Sequence, residues 1–346
     1  MASGAIPTRS QHCSDDPQRP TPNSWLARIS LRSGPKTMAA PNPSDIHIDH
    51  RMLSVSLAAP AALRWLEAGQ PARTLHVFDR VCNLINTDGA VLSLMLAPAE
   101  MNPLAFGLEE HPIVHSFGHH LQANSPVHVR ADLLSVGNLA FDLKKTAPWP
   151  PRPDWEAARK SYPKFGEMLA EINVLLLDKP SADSLSRLLR PAGFDAEAPT
   201  AAWMQRALAP IQLLLSGLEP LDEMVLQEAG GKLAGLGLGL TPSGDDFIIG
   251  SMHALWAVLD ETVAAPLCTK LLHVSAPRTN ALSANYLEAA ARGEAAQAWH
   301  DILAAITHDD VAALSPAVER LVNLGHTSGQ DALAGFLLAS QRILPS

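Results

Sequence analysis

The stretch Lys144-Lys-Thr-Ala-Pro-Trp-Pro-Pro-Arg-Pro-Asp154 divides the chain. Pro148, Pro150, Pro151 and Pro153 put four prolines within six residues. A proline ring fixes φ and removes a backbone donor, so neither a helix nor a central strand runs through such a segment. The sequence has one texture before it and another after it.

Before it, apolar and β-branched runs are short and broken by turn signals. Residues 74–85 and 90–96 flank Asn86-Thr-Asp-Gly89, the pattern of a β-hairpin. Residues 127–134 and 138–143, parted by Ser135-Val-Gly137, read as a second one. Residues 60–68, closed by Gly69, read as a short helix. Several short strands at hairpin spacing must bury one face. A β-rich domain over 46–146, a curled sheet or partial barrel, is therefore expected.

After the prolines, apolar residues recur at three-four spacing over 155–177, 182–189, 201–215, 245–259, 281–291, 295–306, 311–324 and 331–338. That is the period of helices with one buried stripe. The expected fold is α+β: the β-rich domain, a proline-rich linker over 147–154, and a mainly helical domain over 155–346. No strands alternate with the helices, so a doubly wound nucleotide fold is not indicated. Residues 1–45 are rich in Pro, Ser, Arg and Asn without apolar periodicity and are expected to form a disordered tail. That tail lacks the apolar core of a secretory signal, and Met38 is an alternative start.

The whole-chain balance narrows the function classes. The 346 residues carry a formal charge of −9 and no basic run, which argues against nucleic acid or an anionic membrane as partner. No apolar run reaches the length of a membrane span. Cys13, Cys82 and Cys268 are far apart and form no CxxC pair, so neither a disulfide framework nor a thiolate zinc site is indicated. A reducing cytoplasm fits this usage.

The chemistry concentrates in Gly235-Leu-Gly-Leu-Gly-Leu-Thr-Pro-Ser-Gly-Asp-Asp-Phe-Ile-Ile-Gly250. Glycine-rich turns that feed a helix start present backbone N–H groups and the positive end of the helix dipole, which suits an anion. Gly237, Gly239, Thr241, Ser243 and Gly244 are the candidate binding residues. The pattern is not a P-loop, because GxxxxGK[ST] is absent. Asp245 and Asp246 are candidates to orient an amino group or take its proton, and a magnesium ion beside a phosphate is an alternative use of the pair. No protein metal site is expected beyond that.

The same grammar returns as Gly325-His-Thr-Ser-Gly-Gln-Asp-Ala-Leu-Ala-Gly335. Ser243, Gly244, Asp246 and Gly250 align with Ser328, Gly329, Asp331 and Gly335. Thr327, Ser328, Gly329 and Asp331 join the candidate binding set, and His326 is a candidate acid or base near neutral pH. A ligand-free reading competes: Ser243-x-x-Asp246 and Ser328-x-x-Asp331 both fit a capping box. Between the copies, Arg278 and Thr279 open another apparent helix. An arginine there suits a carboxylate or phosphate, and it is otherwise poorly placed against a helix start. If the three starts share a site, they must face one another. His111, His115, His119 and His120 are spaced for a metal-binding helix face, but Pro112 and Gly118 favour a loop. Cys82 reads as strand interior rather than as a nucleophile.

The two glycine motifs, with Arg278-Thr279-x-x-x-Ser283, Ala289-Ala-Ala-Arg-Gly293 and Val81-Cys-Asn-Leu84, resemble the AllH-type oxamate carbamoyltransferase subunit family. The resemblance spans about residues 50–342, is specific in the glycine motifs and looser toward the N-terminus. It implies one subunit of a hetero-oligomeric enzyme with two other, different subunits. That enzyme moves a carbamoyl group between oxalurate and carbamoyl phosphate, with oxamate released or consumed, in allantoin (purine) degradation. It carries over no catalytic residue. A non-catalytic interaction or regulatory subunit, and a nucleotide-binding enzyme of unknown substrate, are the alternatives.

Overall fold

The structure, a computed structural model, describes residues 52–161, 164–178, 181–190, 193–194 and 201–344. The tail expected over 1–45 lies outside them. The N-terminal part is built from β1 (Met52–Ala58), β2 (Ala72–Val77), β3 (Val81–Asn86), β4 (Val91–Met95), β5 (Ala105–Leu108), β6 (Pro126–Arg130), β7 (Leu133–Val136), β8 (Leu139–Asp142) and the two-residue β9 (Ala147–Pro148). Their order is β5-β4-β3-β2-β6-β7-β8-β1-β9, and β5 also pairs with β1. That last pairing closes eight strands into a ring, with β9 added beside β1. The curled sheet is thus a closed barrel, and closure removes the exposed edges.

Alternation along the strands fills the barrel. β1 buries Leu53 and Val55, β7 Leu134 and Val136, β8 Leu139 and Phe141, all in one apolar cluster with Leu84, Leu94, Phe106 and Phe117. β4 breaks the alternation because it is buried at every position. Helix α1 (Pro60–Ala68) packs against β4, and Trp65 donates to the carbonyl of Ala90 at 2.9 Å. Gly69 ends α1 in the left-handed conformation at φ 60°, as its position suggested.

Two of the expected strands are each two strands. The run 74–85 turns at Phe78–Arg80, where the Phe78 N–H meets the carbonyl of Val81. The run 127–134 turns at Ala131, which takes φ 45°. Neither turn carries Gly, Pro or Asn at its centre, so the periodicity hid both.

The proline-rich stretch is pinned along its length. β9 pairs with β1, Trp149 is buried and donates to Gln297 at 3.1 Å, and the Pro151 carbonyl accepts from Ala295 at 2.8 Å.

The helical part comprises α2 (Trp155–Lys160), α3 (Lys164–Leu177), α4 (Ala202–Leu218), α5 (Glu223–Leu233), α6 (Ser243–Val258), α7 (Glu261–Ser275), α8 (Ala281–Ala291), α9 (Gln297–His308), α10 (Val311–Val322) and α11 (Ser328–Ile343). Residues 185–188, expected within a helix, form a 3₁₀ turn. α5 and α7 were not expected: α7 carries Pro266 and α5 carries Gly230-Gly231, two breaker signals that packing overrides. At the centre lie α6 and α11. Every residue of α6 but Ile249 and Val258 is buried, and α11 is buried from Gly329 to Ser340. Such all-round apolar helices belong inside a bundle. Among the described residues no helix is long and apolar enough to cross a membrane.

Candidate functional site

α6 and α11 cross at their glycines, and the contact is reciprocal. A Cβ on Gly250 would lie 1.7 Å from the Ala332 carbonyl oxygen, and one on Gly335 would lie 2.1 Å from that of Phe247. Phe247 follows Asp246 and Ala332 follows Asp331, so each glycine receives the same point of the other copy. The echo in the sequence is therefore a local two-fold relation between helices. The second glycine of each motif repeats the pattern. Gly244 lies against the Leu233 carbonyl at the end of α5, and Gly329 against the Leu321 carbonyl near the end of α10. Each copy is a helix, a loop and a second helix in tight backbone contact.

The crossing brings the two helix starts together. The hydroxyls of Thr241 and Ser328 are 2.6 Å apart. Neither α6 nor α11 has a side-chain cap, so the capping-box reading fails. The geometry explains why. Ser243 and Ser328 are the first residues inside their helices, and their hydroxyls lie beside the acid of the opposite copy, where they favour its charged form. Ser328 and Thr241 act on Asp246; Ser243 and Thr327 act on Asp331.

Three buried carboxyls result, and they differ in environment. Asp245 is a tie: it accepts from the Gly235 N–H at 2.9 Å and from the Thr279 hydroxyl. Burial still pushes its carboxyl above the usual range, against those bonds. Asp331 accepts through Oδ1 from Ser184 Oγ at 2.8 Å and the Leu185 N–H at 2.6 Å. Burial pushes it up to about 6. Asp246 is raised well above its ordinary value, first by burial and then by the charge of Asp331. Oδ2 of Asp246 and Oδ2 of Asp331 have no hydrogen-bond partner among the described residues. Two like charges in a dry site cannot both be held cheaply, so burial and mutual repulsion both favour the protonated form.

The start of α8 is the third arm. Asn280 caps α8 through Ser283 and donates to the Leu240 carbonyl at 2.8 Å, while Thr279 meets Asp245. Arg278 is the surprise. It closes α7 rather than opening α8: it is exposed, sits in the 3₁₀ turn Ala276–Arg278, and donates to the Val274 carbonyl. A cation there complements the C-terminal end of the α7 dipole, which removes the electrostatic objection to its position.

The glycine loop has a conformational reason for its composition. Gly235, Gly237 and Gly239 take φ of 73°, 117° and 93°, the region that side chains avoid. The Gly244 N–H is taken by the Leu236 carbonyl at 2.8 Å. Leu238 and Leu240 at the loop tip are exposed. His326 is exposed in the loop before α11.

Several residues of the site carried no spacing signal. Tyr286 on α8 bonds Ser93 of β4 and feels the charge of Asp246. Ser93 in turn donates to Asn83 of β3 at 2.8 Å. This polar chain leads from the helix crossing into the barrel wall. Gln330, the variable position of the second motif, accepts from the Ser181 N–H and from Ser186. Only tertiary packing joins these residues to the acids.

Elsewhere, the four histidines lie in a loop with one 3₁₀ turn, Phe117–His119, and His111 accepts from two backbone N–H groups. Among the described residues no group of three or more His, Cys, Asp or Glu is placed to hold a metal ion. Cys82 is buried in the barrel, and burial pushes its thiol up to about 12.

Residues 233–340 match the family model described as oxamate carbamoyltransferase subunit AllH, the family that the glycine motifs resemble. The match covers less than half of the chain and takes in both motifs, the start of α8 and the helix crossing. No solved structure matches the chain.

Proposed function

We propose that the chain is the subunit of a cytoplasmic carbamoyltransferase complex that binds small anions at the joined starts of α6 and α11, acting on oxamate or oxalurate and carbamoyl phosphate in allantoin degradation with two other subunits. The observation that carries this reading is Asp246. It is a buried carboxyl whose surroundings favour its protonated form, with a free oxygen, beside the hydroxyls of Thr241 and Ser328. The family match over 233–340 supports the choice of reaction.

The reaction needs such a group. In the direction that makes carbamoyl phosphate, a hydrogen phosphate oxygen adds to the carbamoyl carbon of oxalurate. The bond from that carbon to the oxamate nitrogen then breaks, and the nitrogen needs a proton. Asp246 gives that proton and recovers one from the hydrogen phosphate, so nothing is gained or lost overall. Thr241, Ser243, Thr327 and Ser328 supply hydroxyl donors for anionic oxygens, and two helix dipoles point their positive ends at the same place. Asp245 acts through the loop it ties to Thr279. A magnesium ion carried by the phosphate fits the same chemistry.

A second reading, an assembly subunit without chemistry, is favoured by one observation. Both Asp245 bonds and the Gly244 N–H are spent within the fold. One assay separates the two. The chain is purified with whatever co-purifies and tested for carbamoyl phosphate made from oxalurate and phosphate. Asp246→Asn in the same assembly should lower turnover about 100-fold or more, the worth of a general acid. Full activity of that variant would leave only the assembly role.

A further inference from the structure

The two unpartnered oxygens, Asp246 Oδ2 and Asp331 Oδ2, belong to equivalent positions of the two motif copies. Both side chains are buried, Asp246 at 5% and Asp331 at 0% exposure. A buried acceptor without a donor costs about 1–3 kcal/mol, and natural proteins leave few of them. Among the described residues nine buried side-chain atoms lack a partner, and two of these are the equivalent acids on the first turns of the two central helices. The other oxygen of Asp331 accepts from Ser184 and Leu185, which fixes the orientation of the carboxyl. Asp246 and Asp331 also feel each other's charge.

We infer that Asp246 and Asp331 form a two-acceptor clamp that reads the –NH₂ group of a primary amide or carbamoyl substrate, which makes Asp331 a specificity-determining residue. The inference rests on the function proposed above and adds what that function lacks, a means of selecting the nitrogen end. One –NH₂ carries two N–H donors in a plane and satisfies both oxygens at once. A methyl group of the same size and shape satisfies neither and leaves both buried and bare. The carboxylate end of such a substrate then lies toward the hydroxyls of the helix starts.

The test uses two ligands of one shape and charge: oxamate, which has the –NH₂, and pyruvate, which has a methyl in its place. Binding of each is measured on the full chain in its assembled complex by calorimetry or by competition with carbamoyl phosphate. Wild type should prefer oxamate by about tenfold or more, since one lost bond to a charged acceptor has that worth. Asp331→Asn keeps an oxygen for Ser184 and Leu185 but turns a donor toward the substrate –NH₂. Its preference should shrink to within about threefold, with pyruvate binding unchanged.

If wild type binds oxamate and pyruvate alike, an ordered water fills the clamp and the inference is overturned. Unchanged selectivity in Asp331→Asn also overturns it, and both results leave the carbamoyl function standing. If neither oxamate nor carbamoyl phosphate binds wild type, the proposed function itself fails and the clamp with it. The wild-type comparison needs no variant, so a misfolded Asp331→Asn does not rescue the idea.

Discussion

Gly250 of α6 stands against the carbonyl of Ala332 in α11 so closely that a Cβ would come within 1.7 Å of the oxygen. Its counterpart, Gly335, meets the Phe247 carbonyl in the same way. Backbone meets backbone here, so no side-chain rotation relieves a substitution. Gly250→Ala and Gly335→Ala should each cost about 3 kcal/mol or more, the upper end of overpacking effects. Gly166 in α3 has nothing within 4 Å of its Cβ position. Gly166→Ala should instead stabilise, by about 0.5–1 kcal/mol from helix propensity. Urea midpoints of the three variants decide this; a mild Gly250→Ala would mean that the helices do not cross so closely.

The buried acids set stability against activity. Asp246 has a folded value raised well above its unfolded one. Its contribution is therefore present at low pH and is lost as pH rises from the unfolded carboxylate range through the folded value. Asp246→Asn removes that loss. The variant should melt higher than wild type near neutral pH, and the difference should vanish in acid. Turnover should fall while Tm rises. A variant that melts lower at every pH would mean that Asp246 is a structural acceptor with its charge well solvated.

His253 works in the opposite direction. It is buried on α6 between Trp155 and Trp299, with ring centroids at 5.7 Å and 4.9 Å. Burial lowers it to about 4. An imidazole neutral in the fold but protonated when unfolded contributes stability above about pH 6.5, which is lost as pH falls toward 4. The loss across that window should approach about 3 kcal/mol. His253→Gln should be less stable at neutral pH and show a flatter acid limb. Equal slopes for variant and wild type from pH 7 to 4 would assign the acid sensitivity elsewhere.

The Thr241–Ser328 contact is the one direct bond between the two motif copies' hydroxyls, and it is open to a double-mutant cycle. Thr241→Val, Ser328→Ala and the double variant should give a coupling energy of about 1 kcal/mol. Strict additivity would mean that the two loops stand apart in solution.

Much of the architecture was legible. The proline stretch separates strand texture from helix texture, and alternation of two against a period near 3.6 tells the two apart from local sequence alone. The repeat of Ser-Gly-x-Asp-x-x-x-Gly also singled out α6 and α11 before any coordinates. It left the chemistry open, because a serine followed by an acid three residues on has the same spelling whether it caps its own helix or lies against the opposite one. Arg278 misled for a related reason: nothing local says whether a residue between two helices ends the first or begins the second.

Sequence by itself determined the α+β texture, the approximate bounds of α4, α6, α8, α9 and α10 and the motif residues of α6 and α11, because these depend on neighbours within a turn or two. Tertiary structure alone decided the β1–β5 pairing that closes the barrel and the turns that split two strands. It alone placed Tyr286, Ser93 and Asn83 behind Asp246, and it alone left one oxygen each of Asp246 and Asp331 without a donor. Those outcomes depend on contacts between residues tens to hundreds of positions apart. A local period carries no record of which distant surface comes to cover it.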